Sequence, residues 1–182
     1  MPFVQARIAI PSDKPSLDAA LEGLTRLNVQ ILKTAKAAGR PVPAMYAAGV
    51  RWQPDSEKGR PSETWDTIDV VRRRGFGDCE DLAAWRAAEL RFSGRDSGAR
   101  AVVRRSNSPG VAWHCIVQLS NGKTLDPSIK LGMLDWHKRN RLVRPPPARG
   151  MAGDGAILGA DFIKALRAVS QQLTAFTNRF AK

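Results

Sequence analysis

Hydrophobic positions fall into a readable order along the chain. Residues 3–10 (FVQARIAI) predict a short strand. Leu17, Leu21, Leu24, Leu27, Ile31 and Ala35 then recur at steps of three and four, the single stripe of an amphipathic helix. Ser16 is placed to cap that helix, and Gly39 with Pro41 ends it near Ala38. Residues 40–64 are rich in Pro, Gly and charge and read as loop, with one short strand around Val50–Trp52. A short helix is expected from Thr64 to Arg73. Gly75-Phe76-Gly77-Asp78 signals a turn, and strong helix formers follow over 79–91, with Leu82, Trp85, Ala88 and Leu90 as the buried face. Residues 99–105, 111–119 and 123–126 alternate as strands, the last two joined by Ser120-Asn121-Gly122. The middle of the chain thus predicts a helix followed by an antiparallel meander, an α+β arrangement.

The pattern changes after about residue 140. Pro145-Pro146-Pro147 and the glycines at 150, 153, 155 and 159 mark 141–160 as a linker. Phe162, Leu166, Val169, Leu173, Phe176 and Phe180 then form a heptad stripe, so 161–182 is expected as an amphipathic C-terminal helix. Such a helix folds back on residues 1–140 or docks on another protein.

Composition narrows the class. The 182 residues, 43% of them hydrophobic, suffice for one core with an appendage. No apolar run reaches the ~20 residues of a membrane span, and the N-terminus lacks the layout of a secretory signal, so the expected setting is cytoplasmic or a phage-type particle. Two cysteines are too few for a disulfide framework. A net charge of +12 favours anionic partners or a basic surface. The clusters Arg72-Arg73-Arg74 and Lys138, Arg139, Arg141, Arg144 lack any nucleic-acid reading element, so nucleic acid is a partner suggested by charge alone.

Candidate chemistry concentrates in the middle segment. Cys79 stands at a predicted helix N-terminus, where dipole and free amides favour a thiolate and can hold an oxyanion. Gly77 permits close approach just before it. A nucleophilic thiol needs a base and a group that orients the base. His114, mid-strand beside Trp113, is the candidate base; His137 lies in a charged segment and reads as surface. Asp126 serves as orienter only under one hairpin geometry. A two-residue Asn121-Gly122 turn points Asp126 away from His114. A three-residue loop with Gly122 in the left-handed region pairs Leu119 with Lys123 and puts Asp126 on the face of His114, a diagonal neighbour at ~7–8 Å between backbones. The three-residue loop is expected. Cys115 points to the opposite strand face and reads as a small buried hydrophobe. A zinc site from Cys79, His114, Cys115 and His137 is disfavoured because neighbouring strand residues diverge and no CxxC pair exists; no metal or cofactor is expected.

These residues resemble the transglutaminase-like branch of the papain-like superfamily, and most nearly the bacterial transglutaminase-like cysteine proteinases. The resemblance is carried by Trp65-Asp66-Thr67, Gly75-Phe76-Gly77-Asp78-Cys79-Glu80-Asp81-Leu82-Ala83, Trp113-His114-Cys115-Ile116-Val117 and Leu125-Asp126-Pro127, over roughly residues 50–130. It implies a helix bearing Cys79 at its N-terminus, packed on an antiparallel sheet carrying His114 and Asp126. It also implies acyl transfer: a thioester formed on a peptide or glutamine amide, then hydrolysis or transfer to an amine. An upstream oxyanion partner is implied as well, for which Trp52 with Gln53 beside it is the match by position. Two roles follow as expectations. One is a cysteine peptidase or amidase acting on a protein or peptide. The other is an assembly component, for example of a phage-type virion, that keeps the fold and docks through 161–180.

Overall fold

The computed structural model describes residues 10, 12–54, 64–106 and 113–140, the side chains of 139 and 140 excepted. The strand expected over 3–10, the linker 141–160 and the helix 161–182 with its docking role lie outside the described residues, all but residue 10.

The first helix, α1, spans Lys14–Ala37. Its cap is Asp13, not Ser16: the Asp13 carboxylate accepts from the Ser16 amide at 2.9 Å, and Pro15 occupies the first turn, where a missing N–H costs nothing. A single 3-10 turn, Met45–Ala47, follows. Strand β1 is Arg51–Trp52. Helix α2 is shorter than its sequence signal, Ile68–Arg74, and ends where Gly75 turns left-handed at φ 75°. Strand β2 (Phe76–Gly77) leads through Asp78 into α3, Cys79–Phe92. Strands β3 (Arg100–Arg105), β4 (Trp113–Gln118) and β5 (Thr124–Leu125) complete the meander. Two helices with no counterpart in the sequence reading close the described chain, α4 (Pro127–Lys130) and α5 (Met133–Asn140).

The architecture is mixed α+β with two small sheets. β1 and β2 pair in parallel, and β3-β4-β5 form an antiparallel meander. α3 lies at the centre, buried on both sides. Its alanines Ala83, Ala84 and Ala87 meet Leu21 of α1 and Ala101, Val103, Cys115 and Val117 of the meander. Its bulky residues Leu82 and Trp85 meet Leu32, Met45, Val50, Trp52, Ile68 and Val71. The expected face of Leu82, Trp85, Ala88 and Leu90 is buried, but so is the alanine face that a single-stripe reading leaves to solvent. A helix buried on two faces is a core helix, and the charged residues α3 carries, such as Asp81 and Arg91, are held by partners. Small side chains on the sheet side let the strands come close, which brings the β4 residues to the N-terminal end of α3.

Polar clamps hold α1 onto this core. Arg91 gives two guanidinium hydrogen bonds to Glu22 at 2.9 and 2.7 Å and a third to the Ala99 carbonyl at 2.5 Å. Asp18 accepts from the Val103 amide at 2.7 Å, and buried Asn28 accepts from the Ile68 amide at 3.1 Å. Each satisfies a backbone or charged group that burial otherwise leaves unpaired.

No helix among the described residues is long and apolar enough to cross a membrane.

Candidate active site

Cys79 is the first residue of α3, directly after the N-cap Asp78. The turn that delivers it is fixed from two sides. Gln53 donates its amide to the Gly77 carbonyl at 3.0 Å, extending the β1–β2 pairing to the doorstep of the helix. Beneath the turn, Asp81 is fully buried and works as a hub. One of its oxygens accepts from the Asp66 amide at 2.6 Å, and the other from the Asp78 amide at 3.4 Å, with the Arg74 guanidinium 3.9 Å away. Arg74 also pairs with Asp66. The Asp-x-x-Asp spacing from Asp78 to Asp81 is a capping-box signal, and it is how sequence reasoning alone could have found Asp81. Gly77 stands where close approach was expected. A Cβ there would stand 3.0 Å from Asp81 Cβ, 3.1 Å from Asp81 Oδ2 and 3.2 Å from Val71 Cγ1. The close approach that requires glycine comes from the interior, from the Asp81 hub.

The hairpin after β4 takes the three-residue form. The Leu119 amide donates to Lys123 at 2.8 Å, and Gly122 sits in the left-handed region at φ 82°. The register pairs Val117 with Leu125, which extended by one step sets Ile116 opposite Asp126. Asp126 therefore comes to the His114 side, and its Oδ2 lies 2.7 Å from His114 Nε2. The same carboxylate caps α4: Oδ1 accepts from the Ile129 amide at 3.2 Å, and Arg104 stands 3.5 Å from Oδ2. Pro127 opens that helix. The Asp126-Pro127 pair is thus a helix start as well as the end of a strand.

His114 lies beside Cys79, close enough for each to shift the other's titration, while its Nε2 is held by Asp126. With Nε2 engaged by Asp126, Nδ1 is the ring nitrogen left to exchange a proton with the thiol. Burial pulls the His114 pKa down, but the Asp126 hydrogen bond and the contact with Cys79 prevail and raise it to about 9. Burial works the other way on Asp126, yet His114, the Ile129 amide and Arg104 hold its carboxyl below the usual range. Cys79 is pushed well above an ordinary thiol by the adjacent Cys115 and by burial, while His114 draws it down.

Cys115 is buried as expected, at 5% exposure, within the α3–sheet core. It is not turned away from the site, however. Its sulfur, the Cys79 sulfur and a Glu80 carboxylate oxygen all lie within 4.8 Å of one another, and Glu80 Oε2 is 3.3 Å from Cys79 Sγ. Alternation along β4 separates His114 from Cys115, but Cys79 enters from the end of α3 and touches both. The acidic trio Asp78, Glu80 and Asp81 has the same compactness. Neither histidine belongs to a metal-compatible cluster among the described residues, so the set Cys79, His114, Cys115 and His137 is not assembled. The His137 ring instead lies 5.4 Å from Trp52 and 5.0 Å from Trp136.

The other expected site residues divide. Trp52 is a core residue at 8% exposure, packed edge-on against Trp136 at 5.3 Å. Gln53, partly buried, stays with the turn before Cys79 and accepts from Arg51 at 3.2 Å. Trp113 packs on the α3–sheet core, donates its indole N–H to the Ser12 carbonyl at 3.0 Å and carries Arg105 over its ring at 4.6 Å. No protein-family model, curated protein or solved structure matches the chain, so the chemistry of the site stands on its residues alone.

Proposed function

We propose that the protein is a thiol acyltransferase or hydrolase of papain-like, transglutaminase-like layout, with Cys79 as nucleophile, His114 as base and acid, and Asp126 as orienter. The observation that carries this reading is the 2.7 Å contact between His114 Nε2 and Asp126 Oδ2 on a histidine beside a thiol at a helix N-terminus. Each group is of the type its role demands. The thiolate attacks a carbonyl carbon, and the charge moves to the carbonyl oxygen. The Cys79 amide at the start of α3 and the Gln53 side chain are the proposed oxyanion donors, with Trp52 supporting the strand from the core. His114, protonated by the thiol, returns that proton to the leaving amine. A water or amine then attacks the thioester, giving up its proton to His114; the C–S bond breaks, and the Cys79 sulfur leaves and regains that proton. The substrate is a peptide or glutamine-like amide in a protein, presented near Trp113.

Acyl-enzyme trapping tests this. The protein is mixed with an activated ester such as p-nitrophenyl acetate and quenched in acid for intact-mass and peptide mapping. An acetyl group on Cys79, absent in His114→Ala, is expected. Acetylation confined to lysines and unchanged in that variant overturns the reading.

A further inference from the structure

The mechanism above leaves one nucleophilic group unused. Cys115 contributes nothing to acyl transfer, yet its sulfur lies within 4.8 Å of the Cys79 sulfur. The two residues come from different elements, the first turn of α3 and the middle of β4, which pack in one core. Their exposures differ in a useful way. Cys79 is partly exposed, while Cys115 is covered at 5%. Cys79 is thus the more accessible of the two to an oxidant from solvent.

We propose that Cys115 is the resolving thiol of Cys79, and that the pair is a site of oxidation by hydroperoxides, closing to a disulfide. The inference rests on the reading of Cys79 as the reactive thiol beside His114. The Cys79 thiolate attacks the peroxide oxygen, the O–O bond breaks, and the leaving hydroxide or alkoxide takes up a proton as water or alcohol. Cys79 is then a sulfenic acid. The Cys115 sulfur attacks the Cys79 sulfur, the S–O bond breaks, and hydroxide leaves with the Cys115 proton as water. Two thiols and one hydroperoxide thus give one disulfide, one water and one water or alcohol. Bond formation brings sulfurs that lie within 4.8 Å of each other to about 2.05 Å. The product occupies the nucleophile reversibly and spares it from the irreversible sulfinic and sulfonic acids.

The test uses the full chain with a chelator present and a small excess of hydrogen peroxide, quenched by alkylation. Wild type is expected to lose two hydrogens in intact mass and to yield a Cys79–Cys115 linked peptide. Dithiothreitol restores both thiols. Cys115→Ala is expected to yield dimedone-trappable sulfenic acid at Cys79 and no linkage. In Cys79→Ala, Cys115 is expected to stay reduced. Accumulation of Cys79 sulfinic acid in wild type without linkage overturns the proposal, as does linkage only between two chains. A protein whose Cys79 is never acylated by the ester yet still forms the internal linkage supports the disulfide while defeating the catalytic reading, so the two failures are distinguishable.

Discussion

His114 and Asp126 stand twelve positions apart in sequence, yet Nε2 of one is 2.7 Å from Oδ2 of the other. The left-handed Gly122 makes that contact possible by setting the register of the hairpin between them. The linkage has a definite sign. A histidine raised to about 9 in the folded protein, against an ordinary value of about 6.5, contributes stability that is complete below about pH 6.5 and is lost as pH rises through about 9. After allowance for partial solvation, the loss is on the order of 2 kcal/mol. Asp126→Asn keeps an oxygen to cap α4 but removes the charge that holds the imidazolium. Urea unfolding at pH 6 and pH 9 is expected to show the fall in wild type and a much smaller one in the variant. Equal slopes in the two proteins contradict the pairing.

Cys115 pushes the Cys79 thiol up. Cys115→Ala is therefore expected to lower the apparent pKa of Cys79 alkylation and to speed labelling at neutral pH. It also removes a buried sulfur from the α3–sheet core, at a cost of about 1 kcal/mol. Iodoacetamide kinetics across pH read the first effect, and a slower or unchanged rate at pH 7 is the contrary result.

Gly77→Ala forces a methyl to 3.0–3.2 Å from Asp81 and Val71. Overpacking of this kind costs about 1–3 kcal/mol, seen as a lowered Tm. Gly75→Ala tests a different cause, the left-handed conformation at φ 75° with open space around it, and is expected to cost about 1 kcal/mol. Equal, negligible losses in both variants would remove the steric account of the turn before Cys79.

Asp81→Ala removes the acceptor for the Asp66 and Asp78 amides and a partner of Arg74, all at a fully buried position. A loss of about 2–4 kcal/mol is expected, because two amides lose a buried acceptor together, while Arg74 keeps Asp66. Hydrogen exchange at Asp66 and Asp78 is the specific readout. Protection unchanged at both amides, despite the loss of stability, contradicts the hub.

Much of this was legible before any coordinates. Helical spacing placed α1, a run of helix formers after a glycine turn placed α3, and alternation with turn signals placed the meander. The glycine at position 122 even carried the register, and with it the place of Asp126. Three features were not legible. The alanine face of α3 is silent to hydrophobic stripes because small side chains mark close approach rather than apolar bulk. Helices α4 and α5 are short: the Asp126-Pro127 start of α4 is a local cap that reads in sequence as a strand end, and α5 depends on Trp52–Trp136 packing, a tertiary cause. The nearness of Cys115 to Cys79 escaped strand alternation, since a helix end can touch two neighbouring strand residues at once.

The central claim is that His114 activates Cys79. Its most direct test is labelling of the intact protein at pH 7 by an electrophilic thiol probe, with the modified residue identified by mass spectrometry. The account predicts labelling of Cys79 over Cys115, abolished by His114→Ala and reduced by Asp126→Asn. Equal labelling of the two cysteines, indifferent to the histidine, would contradict it.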